Sequence, residues 1–251
     1  MLRVHSIETF GTNDGPGIRL VVFMQGCNFL CLYCHNPDTR PLTGGTIIQS
    51  EDILELLEKQ RPYFKDKGGL TVSGGESLLQ REGLLDLFTK AKKAGFNTTL
   101  DTNGSILDEA AKKLLEVTDL VLLDVKHIDP AWHLKVTNAS NEVVLQFAKY
   151  LESIGKPMWL RYVLVPGYTN QKEFLEKWGQ YFTHYKHGLK RQGRFKNIKR
   201  VEILPFHTYG FFKYKELGIK NPLEDCPVPT KEEIQEAMDI FKKYFKEVYV
   251  R

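Results

Sequence analysis

The sequence has little cysteine and no long hydrophobic run. Four cysteines in 251 residues are too few for a disulfide scaffold, which distributes its cysteines through a short secreted chain. The longest apolar stretches are only as long as one strand, so we expect no membrane span. The first ten residues also lack the apolar core of a signal peptide. The protein is therefore expected in the cytoplasm, without a membrane partner.

The charge is nearly balanced, because 35 Lys and Arg oppose 31 Asp and Glu and leave a net charge of +4. So small an excess predicts no nucleic-acid binding, although it suits an acidic protein partner. Residues 184–200 contain seven Lys or Arg and no acidic residue. We expect this basic segment to be an exposed loop, either a docking site for a partner or a solvated surface without a role.

Short apolar runs alternate with amphipathic segments along the whole chain. This pattern predicts strands at residues 20–24, 70–73, 97–101, 120–124, 158–165, 200–204 and 248–250. It predicts helices at 51–60, capped by Ser50, at 82–94, 107–115, 141–153 and 171–182, and from Thr230, which forms a capping box with Glu233. Continuous apolar strands are typical of a parallel sheet with both faces covered, and its crossovers are right-handed. We therefore predict an α/β fold, a partial (β/α)6 TIM-like barrel, as a single domain over residues 1–251.

Three of the four cysteines follow the first predicted strand directly, as Cys27, Cys31 and Cys34 in a loop at residues 26–36. Thiolates select zinc, copper(I) or iron–sulfur clusters. A structural zinc site and a ferredoxin-type cluster both need four ligands. His35 is an awkward fourth ligand because it adjoins Cys34, and Cys226 lies far along the chain. The simplest interpretation is a [4Fe–4S] cluster with one iron left open, and Cys226 outside the site.

With Tyr33 before its third cysteine, this motif resembles that of the radical S-adenosylmethionine (SAM) enzymes. Further motifs resemble those of the enzymes that activate glycyl-radical enzymes: His5-Ser6 and residues 14–19 (DGPGIR), 33–36 (YCHN), 73–76 (SGGE), 101–104 (DTNG), 124–126 (DVK), 161–167 (RYVLVPG) and 204–207 (LPFH). Ser77 departs from the family, which often has proline there. The chain lacks the cysteine-rich insert of many relatives, so it resembles the compact members with a single cluster.

This resemblance implies a reaction. SAM binds the open iron of the [4Fe–4S] cluster, and one electron cleaves it to methionine and a 5′-deoxyadenosyl radical. That radical removes the α-hydrogen of a glycine in a partner protein, so no side-chain acid or base is implied for the cleavage. The implied partners are a glycyl-radical enzyme, with pyruvate formate-lyase expected first, and a flavodoxin or ferredoxin as electron donor. The protein itself is expected to be a monomer.

The resemblance also assigns roles to single residues, most of which follow the carboxyl ends of predicted strands, where barrel enzymes place their sites. Contacts with SAM are implied for Tyr33, Cys34, His35, Gly74, Gly75, Glu76, Asp124, Val125, Lys126 and His207. A monovalent cation site is implied at Asp101, Thr102, Asp124 and the backbone of Leu122. Contacts with the partner's glycine loop are expected from Asp14, Arg19, His35 and Arg161, and a structural ion pair between Asp14 and Arg161 is the alternative.

Two other functions stay open at this point. The cysteine motif also fits a radical SAM enzyme that acts on a small molecule, such as a deazapurine-forming synthase. A zinc ion on the three clustered cysteines and His35, with the basic segment 184–200 on phosphates, would instead make a nucleic-acid-binding module. A chain with six predicted βα units is long for such a module.

Overall fold

A computed structural model describes residues 1–183 and 195–251. Residues 184–194, most of the predicted basic loop, lie outside the described residues. The described chain divides into two compact units, one of Met1–Phe29 with Asp38–Leu122 and one of Leu30–Pro37 with Leu123–Arg251. The expectation of a single domain over residues 1–251 stays a prediction.

The first unit is built on five strands and three helices. They are β1 (Leu2–Gly11), β2 (Arg19–Met24), β3 (Thr46–Ile48), α1 (Ser50–Phe64), β4 (Gly69–Gly74), α2 (Arg81–Lys93), β5 (Asn97–Thr102) and α3 (Glu109–Glu116). Strands β2, β4 and β5 pair in parallel, whereas β1 pairs antiparallel with both β2 and β3. The carboxyl ends of β2, β4 and β5 therefore meet at one edge, where the cysteine and Gly-Gly-Glu motifs begin.

Strand β6 (Leu120–Asp124) leads the chain into the second unit. There follow α4 (Pro130–Thr137), α5 (Glu142–Ser153), β7 (Met158–Leu164), α6 (Lys172–Thr183), β8 (Ile198–Pro205), α7 (Phe211–Glu216), α8 (Lys231–Lys242) and β9 (Val248–Val250). Strands β7, β8 and β9 are parallel. The core between β7, α6 and α8 is aromatic, since the Trp178 ring lies 5.6 Å from that of Tyr162 and 4.9 Å from that of Phe241, centroid to centroid.

Across the described residues the strand order is β3-β1-β2-β4-β5-β6-β7-β8-β9. Every strand predicted from the sequence is present, whereas β1, β3, α4 and α7 were not predicted. Each described helix is too short or too polar to span a lipid bilayer.

The helix caps confirm one sequence prediction and correct another. At α8 the Thr230 hydroxyl accepts the Glu233 N–H at 3.2 Å, and the Glu233 carboxylate accepts the Thr230 N–H at 2.8 Å, which is the predicted capping box. At α1 the predicted cap was wrong by one residue. Gln49 holds the N-cap position and donates its N–H to Asp52 at 3.4 Å, while Ser50 is the first helical residue.

Candidate metal and cofactor site

The first cysteine stands in the first unit, just after β2. The Gly26 N–H donates to Thr39 O at 2.7 Å and the Cys27 N–H to Arg40 O at 3.1 Å, so the backbone here is fixed on both residues. The Phe29 N–H points at the Cys27 sulfur, with a distance of 3.4 Å from N to Sγ. A backbone N–H directed at sulfur stabilises a thiolate, which is the form that binds metal.

The other two cysteines of the motif belong to the second unit. The N–H groups of Leu30 and Leu32 donate to carbonyls in the last turn of α4, each at 2.9 Å. The Cys34 N–H then closes a turn onto Cys31 O at 3.2 Å. All four cysteines of the chain are half-buried thiols. Their spacing and soft donors fit an iron–sulfur cluster. In the described residues no three His, Cys, Asp or Glu side chains are already arranged to hold a metal ion. The assignment of an iron–sulfur cluster therefore rests on the thiol donors and their spacing in the sequence.

Beside this loop the second unit buries a cation and an unsatisfied hydroxyl. The Lys126 ammonium lies 2.7 Å from Asp124 Oδ2 and 5.9 Å from the centroid of the Tyr33 ring. Burial alone would lower the pKa of Lys126, but the negative charges of Asp124 and the Cys31 thiolate raise it well above its usual value. The buried Tyr33 hydroxyl has no hydrogen-bond partner among the described residues. A permanent cation and an orphaned hydroxyl fit a polar, anionic ligand at this position.

Two histidine rings contact each other next to the third cysteine in sequence. The ring centroids of His35 and His207 are 3.8 Å apart, and His35 Nε2 lies 3.1 Å from His207 O. Burial, reinforced by the neighbouring His207, lowers the pKa of His35 to about 4, so its imidazole is neutral at pH 7. Burial also lowers the pKa of His207. The structure thus brings together two histidines that the sequence analysis assigned to the cofactor.

The two motif glycines of the first unit are required by a close approach between backbones. Gly74 has φ of +111°, a conformation that favours glycine. A Cβ on Gly75 would overlap the carbonyl of Gly26, and the Glu76 N–H donates to that same carbonyl at 2.7 Å. The glycines therefore seat the loop after β4 directly against the residue that precedes Cys27.

The side chain of Glu76 is fully buried and directed into the protein. Its Oε1 accepts the Leu78 N–H at 2.9 Å and the Thr102 hydroxyl at 2.6 Å, and its Oε2 accepts the Asn103 N–H at 2.7 Å. Burial raises the pKa of Glu76 to about 7, although these three hydrogen bonds act in the opposite direction. Its visible role is to join the loop after β4 to the loop after β5, and a contact of this side chain with SAM stays a prediction.

The residues expected at a cation site already have protein partners. In the first unit Asp101 Oδ2 accepts the Ser73 hydroxyl at 2.6 Å. The Thr102 hydroxyl accepts the Gly104 N–H at 3.0 Å while donating to Glu76. Leu122 is buried within β6. The cation site stays a prediction.

Arg19 is fully buried at the opposite end of the strands. Its guanidinium donates to six protein acceptors, which are the hydroxyls of Thr71 and Thr99, Oδ1 of Asn97 and the carbonyls of Pro16, Lys67 and Leu70. Desolvation lowers its pKa to about 10. Strand β2 spans roughly 17 Å at about 3.3 Å per residue, so Arg19 lies far from Cys27.

This burial argues against the expected contact of Arg19 with a partner's glycine loop. Arg19 instead holds the turn before β2, together with Thr71, whose hydroxyl donates to Asp14 O at 2.6 Å. Asp14 is therefore positioned through its backbone, and its contact with a partner stays a prediction.

Arg161 pairs with an acid that the sequence analysis missed. Its Nε lies 3.1 Å from Oε2 of the fully buried Glu202, which faces it across the β7–β8 register. Oε1 of Glu202 also accepts from Arg200 at 3.3 Å and from Arg251 at 3.0 Å. Strands β7 and β8 are far apart in sequence and only their pairing creates this cluster, so the spacing of residues in the sequence could not predict it. The contact of Arg161 with a partner stays a prediction.

Cys226 lies apart from the motif in sequence and contacts other groups. Its sulfur is 3.7 Å from Pro166 O, and burial raises the pKa of its thiol. Together with Cys31 it packs on the edge of the apolar cluster that contains Tyr33. A raised pKa disfavours the thiolate that a metal needs, which supports the expectation that Cys226 is not a ligand.

Comparison with known proteins identifies the family. The model of the Radical SAM superfamily matches residues 21–177. A pyruvate formate-lyase-activating enzyme of Streptococcus mutans is 45% identical over 254 aligned positions, which cover 98% of this chain and 93% of the relative. One from Listeria monocytogenes is 42% identical over 247 positions, 96% of each chain.

The fold has a solved counterpart. The crystal structure of a domain of pyruvate-formate lyase-activating enzyme from Bacteroides vulgatus matches with a TM-score of 0.58 and 21% identity, over 73% of this chain and 99% of that one. The predicted α/β fold, a partial (β/α)6 barrel, is thereby confirmed. The superfamily uses SAM and a [4Fe–4S] cluster, and its cysteine motif is present here at Cys27, Cys31 and Cys34. The chain therefore belongs to the radical SAM superfamily and, within it, to the family of pyruvate formate-lyase-activating enzymes.

Proposed function

We propose that this protein activates a glycyl-radical enzyme, with pyruvate formate-lyase as the expected substrate. The observation that carries the proposal is the similarity to pyruvate formate-lyase-activating enzymes at 45% identity over 98% of the chain. Similarity over the whole chain covers the regions outside the cysteine motif that would differ in an enzyme with a small-molecule substrate. The relatives therefore do not favour the deazapurine-forming alternative.

The cysteine loop is built to hold a cluster. When bound by Cys27, Cys31 and Cys34, a [4Fe–4S] cluster supplies the electron that cleaves SAM to methionine and a 5′-deoxyadenosyl radical. The backbone bonds of Leu30 and Leu32 to α4 fix the second and third thiols on one turn. The Phe29 N–H supports the first thiol as a thiolate. These contacts leave one coordination position for SAM, since the motif provides only three ligands.

The SAM contacts that we propose are the ones that the sequence motifs imply, described for each unit by itself. In the first unit Gly74 and Gly75 present backbone groups at the end of β4, and Glu76 fixes their loop. In the second unit Lys126 stays protonated and suits a carboxylate. The other contacts proposed in that unit are those of Tyr33, Cys34, His35, Asp124, Val125 and His207.

Further parts of the proposal concern the ion and the partners. Carboxylate, hydroxyl and carbonyl oxygens of Asp101, Asp124, Thr102 and Leu122 have the hard donor chemistry of a monovalent cation site. Asp14, His35 and Arg161 are proposed to meet the substrate's glycine loop, which must leave the interior of its own protein first. The electron donor is proposed to be a flavodoxin or ferredoxin. The protein is proposed to be a monomer. It is proposed to act in the cytoplasm, where reducing conditions keep the cysteines as thiols that can hold a cluster.

The test is activation of purified pyruvate formate-lyase under anaerobic conditions. We expect the iron- and sulfide-reconstituted protein, with SAM and a reductant, to produce a glycyl radical seen by electron paramagnetic resonance, together with 5′-deoxyadenosine. Cys31→Ala should abolish both products. SAM cleavage without a glycyl radical on any of several glycyl-radical enzymes would contradict the proposal and favour a small-molecule substrate.

A further inference from the structure

Helix α7 is attached directly to the cysteine loop within the second unit. The Tyr214 hydroxyl donates to the carbonyl of Cys34 at 2.9 Å. The Lys213 ammonium donates to Oδ1 of Asn36 at 2.9 Å. Gly210, just before the helix, contacts His35 so closely that a Cβ would stand 2.5 Å from the His35 carbonyl oxygen. Helix α7 and the residue before it therefore pack against the backbone of Cys34 and of the two residues that follow it.

The same short segment presents large apolar side chains to solvent. Phe212 is 56% exposed, and Leu217 and Ile219 are 43% and 40% exposed. Single exposed apolar residues are ordinary, but several within eight residues form the kind of patch that marks an interaction site. Aromatic residues surrounded by polar ones are typical of the centre of protein interfaces. We call residues 211–220 the α7 surface.

The α7 surface carries positive charge. Lys213, Lys215 and Lys220 stand against a single acid, Glu216, and of these Lys215, Lys220 and Glu216 are exposed. An apolar centre with lysines around it complements an acidic protein surface, and such complementarity raises the association rate and selects the partner.

We propose that the α7 surface docks a small acidic one-electron carrier protein. This inference rests on the proposed function, which consumes one electron for each SAM cleaved. One electron leaves the reduced carrier, which is oxidised, and enters the bound cluster, which is reduced. Electron transfer rates fall steeply with distance, and Tyr214 links this helix by one hydrogen bond to the backbone of a cluster ligand. The protein substrate must instead reach the 5′-carbon of SAM. A helix bonded to the backbone of the cysteine loop does not provide that access.

The first experiment measures binding and needs no turnover. Oxidised flavodoxin is titrated by calorimetry into the reconstituted protein and into the double variant Phe212→Ala, Lys215→Glu. We expect the Kd of the variant to be about tenfold higher or more than that of the wild type, since aromatic anchors dominate interfaces. The Kd of the wild type should itself rise as salt is added. Phe10→Ala removes an aromatic ring that is 49% exposed on β1 and should leave the Kd unchanged. An equal Kd for wild type and double variant would overturn the proposal.

The second experiment compares two reductants for the same variants, with 5′-deoxyadenosine as product. With reduced flavodoxin the double variant should be slowed about tenfold, whereas with dithionite it should match the wild type. Loss with both reductants would overturn the proposal and show that the variant disturbs the cysteine loop. An unchanged flavodoxin Kd with fewer glycyl radicals under dithionite would assign the surface to the protein substrate instead. Failure of wild type to form any glycyl radical would refute the proposed function and leave the Kd comparison valid.

Discussion

The carboxylate of Glu76 accepts a 2.6 Å hydrogen bond from the hydroxyl of Thr102, which joins the loop after β4 to the end of the neighbouring parallel strand β5. The Asn103 N–H, in the loop after β5, donates a second bond to the same carboxylate at 2.7 Å. The glutamate of the Gly-Gly-Glu motif is thus occupied by the protein itself. We infer that it positions the two loops, so its removal should weaken SAM binding through the geometry of the site.

Glu76→Gln tests this role. The amide NH2 would face either the Asn103 N–H or the two donors at Oε1, so one or two buried donors would lose their acceptor. We expect a loss of about 1–3 kcal/mol in the free energy of unfolding of the cluster-free protein, together with a weaker Kd for SAM in the reconstituted protein. Urea unfolding and a SAM titration measure the two effects. Glu58→Gln, an exposed pair with Arg61, is the control and should change neither.

Arg19→Lys should destabilise the protein although it conserves the charge. An ammonium has three donors and cannot reach the six acceptors that the guanidinium serves, so several buried hydroxyls and carbonyls lose their donor. We expect at least about 2 kcal/mol of lost stability in urea unfolding. Arg61→Lys, on the exposed face of α1, is the matched control. A loss of stability in Arg19→Lys no larger than that in Arg61→Lys would show that Arg19 is not the centre of this network.

Gly210→Ala should loosen the cysteine loop while the fold survives. Gly210 has φ of −84°, so alanine is compatible with its backbone, and the whole effect arises from the clash with the His35 carbonyl. We expect less iron and sulfide bound after reconstitution, with unchanged circular dichroism. Gly95→Ala has open space around the added methyl but a φ of +82°, so it introduces backbone strain alone. If Gly210→Ala bound as much iron as the wild type, the close contact between Gly210 and the His35 carbonyl would not be needed to hold the cysteine loop.

The cysteines should divide into ligands and a bystander. Alanine at Cys27, Cys31 or Cys34 should each remove the cluster and its absorbance, because three thiolates are the minimum that holds it. Cys226→Ala should retain iron and SAM cleavage at the level of the wild type, since its sulfur contacts the Pro166 carbonyl. Iron content of the four variants decides the assignment, and loss of the cluster in Cys226→Ala would make it a fourth ligand.

The buried histidines should lower the stability of the protein on acidification below pH 6.5, whereas Glu76, whose pKa is raised, contributes in the opposite direction. His127 is fully buried, and its Nδ1 accepts the Asp129 N–H at 3.0 Å. Burial lowers its pKa from 6.5 to about 4. Between these values the unfolded chain binds more protons at His127 than the folded protein does. The stability that His127 contributes is therefore complete above pH 6.5 and is lost as the pH falls towards 4. Each such histidine contributes a slope of up to about 1.4 kcal/mol per pH unit.

His127→Asn keeps an acceptor near Asp129 but cannot titrate in this range. Urea unfolding at several pH values between 4 and 6.5 should show a slope that is smaller by about one proton, and not zero, because burial also lowers the pKa of His35 and His133. Phe88→Leu, on the buried face of α2, is the control and should shift stability equally at every pH. An unchanged slope in His127→Asn would mean that the pKa of this imidazole is the same in the folded and the unfolded protein.

The parallel strands could be predicted from the sequence because burial on both faces leaves a continuous apolar run, as in β2 and β6. Strand β1 was missed because four of its ten residues are exposed, including Glu8 and Phe10. Helix α7 has six residues, too few for a helical period to emerge. Helix α4 has eight residues, as many as the predicted α3, but its apolar residues do not gather on one face.

The site could be predicted as far as local motifs reach. The cysteine spacing and the two glycines before Glu76 are adjacent in sequence, so their chemistry is readable there. The partners of Arg19 and Arg161 come from other strands, and only strand register brings Glu202 opposite Arg161. The same limit applies to Glu76, whose partner Thr102 is supplied by the next strand.

The measurement that tests the account most directly follows one hydrogen atom. Pyruvate formate-lyase is prepared with glycine deuterated at the α-carbon and incubated anaerobically with the reconstituted protein, SAM and reductant. We predict a glycyl radical by electron paramagnetic resonance and deuterium in the 5′-deoxyadenosine by mass spectrometry, in matching amounts. A 5′-deoxyadenosine without deuterium, or the absence of a glycyl radical while SAM is consumed, would contradict direct abstraction from the partner's glycine.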